Sequence, residues 1–372
     1  MKEVNQKHAN EYADAIKRMA NNNPEIGRYD YNSMFWLSDY MVHNRTNYDF
    51  SVRAVSKKTC RSESGNGENI WGTYVSEGAT NIRVDGDEYF NIFPVWEWDK
   101  IPGTTTPSGE KVNPNNWGVR GVADLVGGIS DGKFGAMGYL MNDFKIEARK
   151  GWFMFDQEVV CLGAGIKTSR EQYVNTSINQ CNLKGDLYQI TDPKMTKLDE
   201  NSAIEMDYKG WIWHNKIGYY LPYTTSVTLK NTMQTGSWSK INYNQSAETV
   251  SLPVFNLSIR HGKSPQAAEY AYIVVPGMEQ PDITNKYHLP NICIESNTEA
   301  IQAVRNIDLD MTQAIFYEAG TLEAQGYTLE AKAPCVLLIK GISSGKACIV
   351  GRSLVNNEKT IQDGDVTLTI KP

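Results

Sequence analysis

Apolar positions recur at helical spacing most clearly over residues 3–20. Val4, Ala9, Tyr12, Ala13, Ile16 and Met19 fall near i, i+3/i+4 intervals with polar residues between them, which predicts an amphipathic helix. The run Asn21-Asn-Asn-Pro24 stops it. One short helix cannot bury its apolar face alone, so it reads as the end of a longer helical region or as a strap on a sheet. From about residue 35 the period changes to two. Alternating, β-branched or aromatic runs predict strands over Tyr48–Val55, Asn81–Val84, Tyr89–Val95, Phe134–Leu140, Phe144–Ala148, Gly151–Leu162, Gln172–Gln180, Trp211–Leu221, Thr225–Leu229 and Tyr270–Val275. Turn signals such as Asp85-Gly86-Asp87, Ser130-Asp131-Gly132 and Lys184-Gly185-Asp186 separate them. Connections are short and no helix alternates with the strands. That excludes a doubly wound α/β fold and predicts an all-β chain of stacked antiparallel sheets.

A turn-rich stretch from Pro276-Gly277-Met278 to Pro290 leads into a second, smaller set of strands. These are Ile292–Glu295, Ala300–Asn306, Met311–Tyr317, Tyr327–Ala331, Cys335–Lys340, Lys346–Val350 and Val366–Ile370. The expected organisation is a helical remnant or linker over 1–28, a large β domain over 29–285 and a small C-terminal β-sandwich over 286–372. No internal repeat or low-complexity tract is evident.

Composition sharpens this picture at three points. Nine Trp and 20 Tyr suit a β-rich core, and equally a sugar-binding surface, because flat rings stack on the apolar faces of pyranoses. A net charge of −6 argues against a nucleic-acid partner, whose sites are usually clustered and basic. The six cysteines have no metal-finger spacing and mostly lie in apolar runs, as in Pro-Cys335-Val-Leu-Leu; they read as buried free thiols. No run approaches the roughly 18 apolar residues of a membrane helix. The N-terminus as given lacks the apolar stretch of a signal peptide.

The usual catalytic constellations are missing: no phosphate-cradling glycine loop, no GxSxG and no HExxH. The histidines are scattered, and His214 inside an apparent strand reads as a core residue. Two segments stand out. Arg61-Ser-Glu-Ser-Gly-Asn-Gly-Glu-Asn69 combines glycines, carboxylates and amides near Arg53, Lys57 and Lys58. It suits either a site for a polar, anionic ligand or a hydrogen-bonded turn at a domain edge. Phe93-Pro-Val-Trp96-Glu97-Trp98-Asp99-Lys100 suits either a sugar platform or a corner lock between sheets.

These stretches resemble polysaccharide lyase family 8, the hyaluronate, chondroitin AC and xanthan lyases. The matching phrases run in order: Asn66-Gly-Glu-Asn69, Phe93 to Thr105, Lys150-Gly-Trp-Phe-Met-Phe-Asp156, Val160-Cys-Leu-Gly-Ala-Gly-Ile166, Asn179-Gln-Cys181, Gln234-Thr-Gly-Ser-Trp238, His261-Gly262 and Tyr270-Ala-Tyr-Ile-Val-Val-Pro-Gly277. The resemblance implies a large, galactose-mutarotase-like super-sandwich and a small C-terminal sandwich. It implies β-elimination on uronate-containing polysaccharides, no cofactor or metal, and an extracellular or periplasmic location. In that family an Asn neutralises the uronate carboxylate, and a Tyr assisted by His and Arg moves the proton. All four sit on an N-terminal helical toroid, which residues 1–25 match at most in its last helix. The toroid is therefore expected as a missing partner, with little activity from this chain alone. Arg45, Arg53 and Arg61 do not inherit the toroid Arg's role. What carries over is Glu63, expected to orient the catalytic Tyr and Arg, Asn66, expected to contact sugar, and Trp117 as a stacking platform. A non-catalytic carbohydrate-binding module and one subunit of a split lyase are the competing expectations.

Overall fold

The structure, a computed structural model, describes residues 6–20, 30–64, 66–109, 115–191, 194–279, 291–355, 360–361 and 364–370. Its one α-helix among these is Ala9–Ala20, preceded by a 3-10 turn at Gln6–His8. Ile16 on it is 57% exposed. Val4 and the Asn21–Pro24 stop lie outside the described residues.

The other regular structure among the described residues is antiparallel sheet, apart from short 3-10 turns. A four-stranded meander, Tyr31–Phe35, Tyr40–Arg45, Tyr48–Arg53 and Ala79–Arg83, lies in sequence order. The twelve-stranded sheet runs from Lys194–Lys197 at one end to Val126–Ser130 at the other, with Tyr173–Asn182 paired to Val250–Lys263 off that path. Its central strand, Val159–Thr168, is buried at nearly every position. A run of Val, Cys, Leu, Ala and Ile suits such a place because both of its faces are covered. By contrast, Ala203–His214 alternates between exposed and half-buried along its first eight residues and is buried only over the last four. That strand leaves the core at its N-terminal end.

Three expectations drawn from periodicity are corrected. Trp211–Leu221 is a hairpin rather than one strand: Asn215 and Lys216 both adopt positive φ, 45° and 61°, between His214 and its partner Ile217. Such a two-residue turn matches the twist of the flanking strands. Gly151–Leu162 divides into the ends of Ile146–Met154 and Val159–Thr168. Tyr89–Val95 is not a strand at all, because Asn91 turns at φ 54° and Phe93–Val95 forms a 3-10 turn containing Pro94.

The C-terminal residues form a five-stranded and a three-stranded sheet, Ile292–Asn297 to Cys348–Ser353 and Gly320–Ala324 with Tyr327–Ala331 and Val366–Ile370. The strand Gly320–Ala324 has no counterpart in the periodicity. One apolar core joins Ile129, Phe153 and Leu162 of the large sheet to Val304, Ile315 and Val336 of the small unit. Across this seam the Gln313 amide donates to Met154 O at 3.0 Å and accepts from Met154 N at 3.1 Å. All six cysteines are free thiols. Burial holds for Cys161, Cys181 and Cys335, but Cys293 and Cys348 are exposed, since each occupies an outward position on its strand.

Candidate active-site wall

The turn after Cys60 stands on a buried ionic floor. Arg61 is 6% exposed, and its guanidinium meets Glu77 at 2.7 Å and Asp143, while its Nε donates to Arg120 O at 3.2 Å. The Phe144 ring lies 5.1 Å from its guanidinium carbon. Glu77 is fully buried, which pushes its carboxyl up; Arg61, the Tyr139 hydroxyl donating at 2.8 Å and nearby Lys150 oppose that rise. Lys150 is also fully buried and donates to Gly103 O at 2.5 Å. Burial lowers its pKa to about 7. These charges hold the backbone below the turn, and of them only Asp143 reaches water appreciably.

Above this floor, hydrogen bonds fasten the turn on both sides. Toward residues 115–120, Arg61 N donates to Val119 O at 2.8 Å, Ser64 N to Asn115 O at 2.9 Å, and the Asn115 amide to Ser62 O at 3.0 Å. Gly118 N donates to the Glu63 carboxylate at 2.9 Å. Toward residues 238–245, Ile70 N donates to Ile241 O at 2.9 Å and Tyr243 N to Gly67 O at 3.0 Å. Inside the turn, the Asn69 amide donates to Ser62 Oγ and Glu63 O, and Asn66 Oδ1 accepts from Glu68 N at 3.4 Å. Gly67 has φ 81°, and a Cβ there would stand 3.0 Å from the Tyr243 ring. Only glycine meets both demands.

The structure thus brings the three expected residues onto one ridge. Glu63 is half-buried and held by Gly118, the neighbour of Trp117. Asn66 is exposed, as is Trp117 at 63%. Sequence reasoning missed Tyr243, 72% exposed on the other flank; the Gln234–Trp238 phrase just before it was the available signal. Arg53 donates to Cys60 O at 3.2 Å, and Arg45 pairs with Asp156 at 3.2 Å, away from the turn.

The Phe93–Thr106 segment proves to be a corner lock that also walls a cavity. Gln180, fully buried, accepts from Glu97 N at 2.8 Å and donates to Glu97 O and Lys100 O at 3.0 and 2.9 Å. Burial would raise the Glu97 carboxyl, but Lys100 and Lys230 outweigh it and hold the group below its ordinary value. Trp96 and Trp98 meet nearly edge-on, 5.4 Å between centroids.

Burial moves several histidines and tyrosines away from the range of a general base. Burial lowers His43 and His214 to about 3. Burial likewise raises Tyr139, Tyr219 and Tyr272 well above the usual phenol range. No group of three or more His, Cys, Asp or Glu side chains that could hold a metal ion occurs among the described residues. No helix among them is long and apolar enough to cross a membrane.

The comparisons with known proteins define the class. The super-sandwich domain of polysaccharide lyase family 8 matches residues 30–287, and the C-terminal β-sandwich domain of that family matches residues 294–351. The chain belongs to polysaccharide lyase family 8. Among individual relatives it is 42% identical over 362 residues to the chondroitinase-AC of Pedobacter heparinus, covering 96% of this chain and 51% of that one. It is 26% identical to the hyaluronate lyase HylB of Enterococcus faecalis, over 94% of this chain and 36% of that one. A solved chondroitinase AC lyase superposes with a TM-score of 0.90 at 40% identity, over 100% of this chain and 56% of the other. Paenibacillus xanthan lyase shares the fold at a TM-score of 0.80 and 22% identity, over 88% of this chain and 33% of the other. The chain spans about half or less of the length of these relatives.

Proposed function

We propose that residues 1–372 are the β-sandwich portion of a lyase that cleaves uronate-containing polysaccharides of the hyaluronan or chondroitin type by β-elimination. The reaction breaks the C5–H bond, sends its electron pair into a C4=C5 double bond and expels the C4 oxygen, which takes up a proton. The steps need a base, an acid and donors that neutralise the uronate carboxylate. The described residues hold one α-helix, so a helical toroid bearing the family's Asn, His, Tyr and Arg would be supplied by polypeptide other than these residues. This chain would contribute the opposite wall: Glu63 orients the catalytic Tyr and Arg, Asn66 contacts sugar and Trp117 stacks on it.

The observation that carries this reading is the Gly118 N to Glu63 hydrogen bond of 2.9 Å. It ties the Glu63 carboxylate to the neighbour of the exposed Trp117, while the exposed Asn66 follows in the same turn above the buried Arg61–Glu77 pair. The relatives' names, a chondroitinase and hyaluronate lyases, supply the substrate class.

The test incubates the chain with hyaluronan or chondroitin and follows the ultraviolet absorbance of the unsaturated product, with affinity electrophoresis in parallel. The expected result is little product but measurable retardation that Asn66→Ala and Trp117→Ala each reduce. Robust turnover by this chain alone would overturn the assignment of a supporting wall. Retardation that depends on Trp117 and is indifferent to Glu63, in the presence of a toroid-bearing protein as well, would favour a non-catalytic binding module.

A further inference from the structure

Behind the ridge lies a cavity of about 650 Å³, within the range typical of small-ligand sites. Asn69 forms part of its wall, and the same Asn69 amide is bonded to Ser62 and Glu63 of the turn. The cavity therefore continues directly from the ridge. Five rings, Tyr89, Phe93, Trp96, Trp98 and Trp238, face it. Four of them are packed on one another: Phe93 sits 5.2 Å from Trp96 and 5.9 Å from Trp98, and Tyr89 6.3 Å from Trp96. The Trp96 indole N–H is held by Gln180 O at 3.2 Å. Such a wall pays little ordering entropy when a flat ligand lands on it.

Besides the indole N–H groups, the polar groups of the cavity are amides and two hydroxyls, of which that of Tyr89 is already bonded to Ile82 N and Asn179. Asn81, Asn242 and Gln245 join Asn69 in the lining, together with Thr80. Thr80 is 3% exposed, and its Oγ1 has no hydrogen-bond partner among the described residues. That hydroxyl is packed against Gly103; the polar groups open to a ligand are the amides of Asn81 and Gln245, which are exposed, and of Asn242, which is half-buried. Among the described residues no Asp, Glu, Lys or Arg lines this cavity, whereas the neighbouring one is lined by Glu97, Asp99 and Lys240.

The geometry points to a second carbohydrate subsite here, one that takes an uncharged N-acetylhexosamine ring rather than a uronate. Stacked indoles match the apolar face of a pyranose and the acetamido methyl. Amides match hydroxyls and the acetamide, and with no cation among the described lining residues a carboxylate would have no counter-charge there in a partly desolvated place. In a polysaccharide that alternates uronate with amino sugar, the ridge would hold the acidic ring while this cavity selects the neutral one. The assignment rests on the uronate-polysaccharide reading given above.

The experiment titrates the whole chain with free N-acetylgalactosamine, with free glucuronate and with unsulfated chondroitin oligosaccharides, reading tryptophan fluorescence and saturation-transfer NMR. N-acetylgalactosamine is expected to quench the fluorescence and to show transfer to its acetamido methyl, while glucuronate at equal concentration does neither. Phe93→Ala and Gln245→Ala, both at solvent-exposed positions, should each weaken oligosaccharide binding at least five-fold without shifting the thermal midpoint by more than a few degrees. Equal response to glucuronate, or unchanged binding in both variants, overturns the subsite. So does complete quenching protection by a toroid-bearing protein without sugar, which would make the cavity a protein-docking surface. Oligosaccharide binding that depends on Asn66 and Trp117 but not on Phe93 or Gln245 would sink the subsite and leave the lyase reading standing. Binding of N-acetylgalactosamine that depends on Phe93, with no response to Asn66→Ala or to added toroid, would do the reverse.

Discussion

Replacing Arg61 with Met removes the cation beneath the turn while keeping most of its apolar bulk. Glu77, with none of its side chain exposed, then loses its 2.7 Å partner, keeping the Tyr139 hydroxyl and the more distant Lys150. Breaking a buried ion pair by removing one member costs about 3–5 kcal/mol, because a desolvated charge is left behind. The Tyr139 hydroxyl and the Ser76 hydroxyl, which donates to Glu77 at 3.4 Å, favour the lower end, so about 3 kcal/mol is expected at pH 7.5. Asp143 adds little, since 21% of its side chain reaches water. The cost should depend on pH. Burial already raises the Glu77 carboxyl, and without Arg61 it rises further. Its folded-state pKa then lies well above the unfolded one, so the penalty grows as pH climbs above about 4.5 and shrinks toward it. Urea unfolding at pH 7.5 and 5.0, followed by tryptophan fluorescence, measures both effects. Arg61→Met with Glu77→Gln should recover at least about 1.5 kcal/mol at pH 7.5, since no buried charge remains. A cost below about 1 kcal/mol, or one equal at the two pH values, would refute the ionic floor.

Two further outcomes follow from the same geometry. Gly67→Ala forces a side chain to φ 81° and against the Tyr243 ring at 3.0 Å. It should cost about 1–2 kcal/mol and speed chymotryptic cleavage after Tyr243; unchanged cleavage would mean that the ring does not fasten the turn. His214, which accepts from Lys184 N at 3.1 Å and stacks on Phe255 at 4.5 Å, is lowered by burial to about 3. Below pH 6.5 the unfolded chain binds a proton there that the folded one refuses, so wild-type stability falls on acidification. The cost of His214→Gln should therefore shrink by about 1.4 kcal/mol per pH unit below 6.5, and a constant difference in urea unfolding from pH 7 to 4.5 would contradict this.

The sheets were legible because period-two alternation reports a half-buried strand directly, and Tyr327–Ala331, Cys335–Lys340 and Val366–Ile370 have the expected bounds. The hairpin at Asn215-Lys216 was not, since apolar residues on both sides read as one continuous run. The ridge was visible only in part. Glu63 and Asn66 lie within one phrase, and Trp117 follows 54 and 51 residues later (117 − 63 and 117 − 66). No local pattern could say that Gly118 N would cap Glu63. Arg61 read as one of several nearby cations. Its role depends on Glu77 and Asp143, 16 and 82 positions away (77 − 61 and 143 − 61), which only the strand order brings together. Tyr243 sits in a polar stretch with no period at all, and its place beside Gly67 comes from backbone pairing.

The Gln313 amide meets both backbone groups of Met154 across the seam between the large sheet and the C-terminal unit. The Tyr317 hydroxyl likewise donates to Lys150 O at 2.8 Å. The strand Ile146–Met154 that carries Lys150 under the ridge is thus braced from behind by residues more than 150 positions later. Trading this C-terminal unit for that of a distant relative would therefore not be a neutral graft. Unless the incoming sheet brought the same amide and phenol to the same rungs, it would loosen the bed on which the ridge rests, far from the splice.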